Sequence, residues 1–377
     1  MLLSLTNAPR DYAWGSKTLL AALEGRVPAE LPEAEVWFGD HAGDPADLPD
    51  GRTLDAVTGG ELPFLLKLLA AEDPLSIQVH PTKAQAVEGF AREADLAADA
   101  PGRNYRDDNH KPELIVPLSE RFEALCGLRE LAASRRLLAE LRSSTEESAG
   151  LSRLSALLDG EKDPLRAALQ WALAEATPAE VADVIDAVHG GVAAEFAQTL
   201  VAIREIAARN PGDPGVIVAL LMNFVVLRRG EAVFLRAGLL HAYVSGLGVE
   251  IMAASDNVLR GGLTPKHIDV AELLTIVDTT PGDVEIIRPD PGLTVQRFPV
   301  PVDDFALSRV VLSGEDVVVD VQAPAMVLAT SGDVRVIGAD ALALPVPVGT
   351  AVFADPAEST LVLSGVGEVF VAEPGSH

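Results

Sequence analysis

A single cysteine, Cys126, among 377 residues rules out an intrachain disulfide and leaves nothing that calls for an oxidising compartment. Positive charge is also scarce: 29 Lys and Arg stand against 56 Asp and Glu, for a net charge of −27. A field of that sign repels nucleic acid and anionic membranes, so neither is expected as a partner. It does not exclude a small anionic substrate, because a few converging Lys and Arg side chains can make one pocket locally positive. No apolar run reaches the roughly 18 residues of a membrane-spanning helix, and the opening MLLSLTNAPRDYAWGSK has too short an apolar stretch for a signal peptide. A soluble, cytoplasmic protein is expected. Neither a repeat of 20 to 50 residues nor a low-complexity tract is present.

What the chain does have is core-forming material, with 48% hydrophobic and 23% charged residues, in a length that suggests two or three domains. Residues 1–127 are short apolar runs (EVWFGD, LPFLLKLL, LSIQVHP, ELIVPL) broken by Gly, Pro and Asp, which reads as strands and turns. Residues 128–212 change to Ala/Leu/Glu/Arg-rich text with helical spacing, as in Leu165, Leu169, Leu173 and Phe196, Leu200, Ile203. Within it, Thr177-Pro178-Ala179-Glu180 predicts a helix start, with a threonine cap, proline at the first helical position and glutamate closing a capping box. The link NPGDPG, Asn210 to Gly215, ends the segment. Strand-like text returns over residues 213–290, although ALLMN can finish a helix, and a second all-β unit is expected over 291–377.

Three clusters carry candidate chemistry. In LSIQVHP, apolar and polar residues alternate, so Leu75, Ile77 and Val79 can share one strand face while Ser76, Gln78 and His80 share the other. Same-face neighbours lie about 6.5 Å apart, close enough for Gln78 and His80 to aim at one point. A histidine nitrogen is a common zinc ligand and a glutamine oxygen a scarce but acceptable one; a merely polar barrel lining is the plain alternative. In DDNHKPELIVP, Lys111 and Glu113 have the same spacing, and Glu113 opens an apolar run, where a bare carboxylate is costly. Its partner is either a salt bridge or a metal.

The third cluster, Gly230 to Asp269, is the densest. His241 follows a Gly-containing turn out of an apolar strand, Glu250 sits inside GVEIMA, and Arg260 and Lys266 flank GGLTP, an arrangement suited to two cations around a phosphate. The remaining histidines carry less weight. His110 faces away from Lys111 in an extended segment, His189 lies in helical text, His377 is the last residue, and His41 and His267 read as surface or structural.

Together LSIQVHPTK, NHKPE, FEALCGLRE, GLLHAY and GVEIMAASDNVLRGGLTPKHID, with DYAWGSK and EVWFGDH before them, resemble the type I phosphomannose isomerases. The likeness runs from about Asp11 to about Asp269; the C-terminal β text fits only loosely. It implies a mainly β protein with α, in which cupin-type (jelly-roll) domains accompany an inserted all-helical domain. On that pattern the catalytic domain comprises 1–127 and 213–290, the helical insertion 128–212, and a C-terminal cupin-like domain 291–377. The resemblance further implies one Zn2+ per chain on Gln78, His80, Glu113 and His241, an active-site arginine at Arg260, and substrate-pocket residues at Lys67, Ser76, Lys111 and Lys266. The sequence departs from the family pattern after His41, where proline is common, and at Gly261, where alanine is frequent; neither change removes a ligand or a charge.

The implied reaction interconverts mannose 6-phosphate and fructose 6-phosphate through an enediol, with a small-molecule sugar phosphate as partner and a monomer or weak homo-oligomer as the working form. Glu250 is the first choice for the base, since a carboxylate in an apolar run can have a raised pKa; Lys111, His80 and Asp256 are rivals. A cupin dioxygenase using iron and a non-catalytic zinc-stabilised sugar-phosphate-binding regulator are the alternatives. A bifunctional nucleotidyltransferase is disfavoured, because its Gly-rich nucleotide loop has no counterpart here.

Overall fold

The computed structural model describes residues 1–375 except 98, 99, 101, 161 and 323; His377 lies outside the described residues. It is a sheet-rich mixed α/β structure with two antiparallel sheets, one of ten strands and one of eight, and ten α-helices among the described residues.

The hub of the ten-stranded sheet is the long strand His241–Ala253, buried over nearly its whole length. One half pairs with Gln78–Val79 and Phe122–Leu128, the other with Phe64–Ala71 and Glu113–Pro117. Between the halves the register to Phe122–Leu128 slips by one residue: Ala124 lies opposite Tyr243, but Glu123 lies opposite Ser245. A bulge of this kind reverses which face later side chains occupy. It is why His241 and Glu250, nine positions apart, both face one cavity. Gly246, at φ 123°, follows at once, where a side chain would be strained.

LSIQVHP makes only a two-residue strand, Gln78–Val79, shorter than the alternation predicts. The alternation itself holds, with Leu75, Ile77 and Val79 buried. Backbone bonds from Leu75 N–H to Tyr243 O and from Ile77 N–H to Gly262 O keep the segment extended without a regular ladder. Ile77 and Val79 pack into the same apolar cluster as the helices, so the ligand-bearing segment is backed by a solid core.

Helices fill the chain from Leu131 to Leu221, between two strands, Phe122–Leu128 and Met222–Leu227, that pair with each other. Pro178–Gly190 starts as the sequence predicts: Thr177 Oγ1 accepts from Glu180 N–H and Glu180 accepts from Thr177 N–H. After NPGDPG one more helix, Gly215–Leu221, precedes the strand text.

The eight-stranded sheet takes in the β text from Val295 to Glu373 and also Leu2–Leu5, which pairs with Ala351–Ala354 although it opens the segment read as the first β unit. Leu5, Phe38, Leu66, Ile251, Phe305, Met326, Phe353 and Phe370 belong to one buried cluster that joins the two sheets. No helix among the described residues is long and apolar enough to cross a membrane.

Candidate metal centre and substrate cavity

Register places the candidate residues in two rows across the ten-stranded sheet. His241 lies opposite Gln78, and Gln78 opposite Arg260. In the second row Trp37 lies opposite Lys67 and Lys67 opposite Glu250. Neighbouring strands are about 4.8 Å apart, so each row brings polar groups from three strands to one wall of a cavity of about 560 Å3. Ser76, Lys111, Glu113 and Lys266 also line it, so every residue proposed from sequence except His80 borders the cavity. His80 is buried behind the wall, where its imidazole reaches Glu113.

The potential ligand atoms of His80, Glu113 and His241 lie within 4.8 Å of one another. Their hydrogen bonds identify the vacant lone pairs. His80 Nδ1 donates to the Asn257 carbonyl at 2.6 Å and His241 Nδ1 to the Leu239 carbonyl at 3.1 Å. A carbonyl only accepts, so the proton of each neutral ring sits on Nδ1 and a lone pair remains on Nε2. Each Nε2 stands 3.3 Å from an oxygen of Glu113, and His80 Nε2 is buried without a hydrogen-bond partner. Lone pairs facing a carboxylate repel unless a cation lies among them. The set therefore fits a divalent metal, with both rings aimed from behind by backbone carbonyls. Gln78 Nε2 donates to Ser76 Oγ at 3.4 Å, leaving its amide oxygen as a possible fourth ligand.

Burial pushes His80 down to about 4, against the nearby charge of Glu113. For Glu113 itself burial works upward, but the charge of Lys111 beside it holds it well below the usual carboxylate range. Lys111 Nζ is 3.1 Å from Glu113 Oε1, so the salt bridge and the metal-ligand arrangement share this carboxylate.

Glu250 is buried and accepts from Tyr243 O–H at 2.7 Å, with Lys67 Nζ 3.4 Å from its other oxygen. Burial, and then the charge of Glu113, raise its pKa, with Lys67 opposing. Lys67 is held between Glu250 and Glu35, lies 5.1 Å from the centroid of the Trp37 ring, and stays charged despite burial. Arg260 and Lys266 make no ion pair among the described residues; burial and mutual repulsion among Arg106, Arg260 and Lys266 lower the pKa values of Arg260 and Lys266. Two such cations on one wall suit a phosphate.

Sequence reading missed Glu35, Trp37 and Tyr243. Glu35 accepts from Trp37 Nε1 at 2.6 Å, and both belong to EVWFGD, whose buried acidic residue is the available signal. Asn257 is fully buried and fixes His80 through its carbonyl and the loop 106–109 through its amide. Of the other histidines, His41 pairs with Asp256 and His110 with Asp304, while His189 and His267 are exposed.

A sequence model described as phosphomannose isomerase type I, catalytic domain, matches residues 2–131. The mannose-6-phosphate isomerase of Escherichia coli K12 is 36% identical, with 97% of each chain covered. A probable mannose-6-phosphate isomerase of Caenorhabditis elegans is 34% identical over 81% of this chain and 76% of its own. Among solved structures, a mannose 6-phosphate isomerase bound with zinc and yttrium superposes with a TM-score of 0.87 at 32% identity, both chains covered in full. With the paired imidazoles, the carboxylate and the cationic wall in the places the sequence motifs indicate, and with relatives matched along almost the whole length, the chain belongs to the mannose-6-phosphate isomerase family of enzymes.

Proposed function

We propose that the protein interconverts mannose 6-phosphate and fructose 6-phosphate through an enediol, using one Zn2+ per chain held by Gln78, His80, Glu113 and His241. The observation that carries this reading is the pair of Nε2 lone pairs turned onto one carboxylate at the edge of a cavity whose wall also carries Arg260 and Lys266, neither in an ion pair among the described residues. The sheets fit a cupin-type (jelly-roll) catalytic domain interrupted by the helical segment and followed by a cupin-like C-terminal domain.

Bound there with two neutral imidazoles, an amide and one carboxylate, the ion leaves the centre with a net charge of about +1 and supplies a Lewis acid that favours an enediolate. Arg260 and Lys266 hold the phosphate or the developing oxyanion, as their lack of an ion pair among the described residues permits. Lys111, 10% exposed beside Glu113, adds positive charge, and Ser76 and Lys67 contact sugar hydroxyls. Glu250 takes the proton from C2 and returns it to C1, while a second proton passes from the C2 hydroxyl to O1, so that C1=O becomes C1–OH and C2–OH becomes C2=O. Its raised pKa suits a group that must both accept and release a proton near neutrality. Tyr243 and Lys67 fix its orientation. The −27 net charge and the absence of a basic stripe favour a small-molecule partner over nucleic acid or membrane; we place the protein in the cytoplasm as a monomer or weak homo-oligomer.

A coupled assay of fructose 6-phosphate formation, with chelator and after Zn2+ is restored, tests the reading. Activity should vanish and return; full turnover by demonstrably metal-free protein rejects the zinc requirement. A Glu250→Gln variant that exchanges the substrate C2 proton with solvent at the wild-type rate excludes Glu250 as the base.

A further inference from the structure

One polar pair, Asp256 on the cavity wall and His41 behind it, is unused by this chemistry. His41 Nδ1 accepts the Gly43 backbone N–H at 3.0 Å, so the ring proton is on Nε2, which lies 3.1 Å from both oxygens of Asp256. The ring is set edge-on to Trp37, centroids 4.9 Å apart. Gly43 approaches it so closely that a Cβ there would stand 3.1 Å from Nδ1. Asp256 lines the cavity and is 54% exposed; His41 is 18% exposed and is not part of the lining.

We infer that His41 is a positioning residue that, from behind the wall, fixes Asp256 as an ionised hydrogen-bond acceptor for a sugar hydroxyl. The inference rests on the isomerase reading for the identity of the ligand. The titratable groups around Asp256 are the neutral His41, Asp107, which accepts its backbone N–H at 2.8 Å, and Lys111 and Lys67 across the cavity. The hydrogen bond from His41, aided by the charges of the two lysines, outweighs burial and keeps Asp256 below the ordinary carboxylate range. Glu250, in the same cavity, is shifted the opposite way. Two carboxylates with pKa values pulled apart can serve one reaction in different protonation states.

The test compares wild type with His41→Phe, which removes the donor; His41→Gln, which restores an N–H near the Nε2 position; and Gly43→Ala, which displaces the ring. Rates for mannose 6-phosphate are measured across pH, with zinc content as a control. His41→Phe should lose about tenfold or more in kcat, the order expected for one charge-assisted hydrogen bond. Its zinc content should stay unchanged. Because Asp256 loses the group that depresses its pKa, the acid limb of kcat/KM should move to higher pH. Gly43→Ala should shift the limb the same way, and His41→Gln should stay within about threefold of wild type. An unmoved acid limb in His41→Phe, or a loss in His41→Gln as deep as in His41→Phe, overturns the inference. Imidazole 15N signals of the wild type should report the Nε2–H tautomer of His41; the Nδ1–H tautomer overturns it too. These signals decide the pairing even if the wild type proves inactive on mannose 6-phosphate, a result that counts against the isomerase reading alone.

Discussion

Replacing Glu113 by glutamine preserves the size of the side chain and removes the charge on which three neighbours converge. Lys111 Nζ stands 3.1 Å away on a side chain only 10% exposed, so the variant leaves a buried ammonium without its counter-ion. Deleting one partner of a buried pair costs about 3–5 kcal/mol. In metal-free protein the new amide returns part of this, because its N–H can donate to one of the two imidazole lone pairs now facing a carboxylate, a gain of about 1 kcal/mol. The net loss is about 2–4 kcal/mol, or roughly 4 to 16 °C in Tm for a domain of 150–250 residues. Calorimetry in chelator isolates this term. Adding Lys111→Met removes the stranded charge, so the double variant should recover most of the loss. With Zn2+ at a thousandfold excess over Kd the wild type should gain about 4 kcal/mol, and the Glu113 variants little. A Glu113→Gln protein that melts at or above the wild type in chelator refutes the charge assignment. A double variant no more stable than the single one refutes the role given to Lys111.

Acid sensitivity follows from His80, which burial pushes from its ordinary 6.5 to about 4. Between those values the unfolded chain binds the proton that the folded chain refuses, so stability falls as pH drops through the window, by about 3 kcal/mol in all. Glu113, whose folded pKa lies well below its ordinary 4.5, adds a loss of the same sign at lower pH. Urea unfolding in chelator from pH 7 to 4 measures the slope; a flat profile, or an unchanged one in His80→Asn, contradicts it. Arg260→Ala should lower kcat/KM about 100-fold or more, the scale of a charge-assisted contact to phosphate or oxyanion, with Tm little changed because the guanidinium has no ion pair to lose among the described residues. Turnover within a factor of two of wild type removes Arg260 from the mechanism.

The local part of this site was legible because residue types and their spacing reflect strand geometry. Glu113 and Glu250 stood out as acids inside apolar runs, and His241 as an imidazole just past a turn; all three are buried on the cavity side of the sheet. The Thr177 capping box was legible for the same reason, since its bonds close within four residues. What the text concealed depends on distant segments. Strict alternation along His241–Ala253 puts Glu250 on the face opposite His241, and only the slip between Tyr243 and Ser245 returns it; Gly246 is the one local hint. His41 and Asp256 are 215 positions apart, and neither has a neighbour in sequence that explains it. Zinc and the enediol came from the likeness to a family. The lone-pair geometry supplies an independent reason for a cation.

The pairing of Leu2–Leu5 with Ala351–Ala354 has consequences for synthesis and for truncation. Leu2–Leu5 belongs to the second sheet and must wait until Ala351–Ala354 has been synthesised before its strand partner exists. Closing so long a loop costs little more entropy than closing a moderate one, but it delays this step and leaves an unpaired strand edge in the nascent chain. A fragment cut after Ile287 would keep every metal-ligand candidate and still release Leu2–Leu5 from its sheet, together with the apolar cluster that joins Leu5 to Phe38 and Phe353. The C-terminal sheet is thus a clasp on the start of the chain, and removing it opens the fold at both ends.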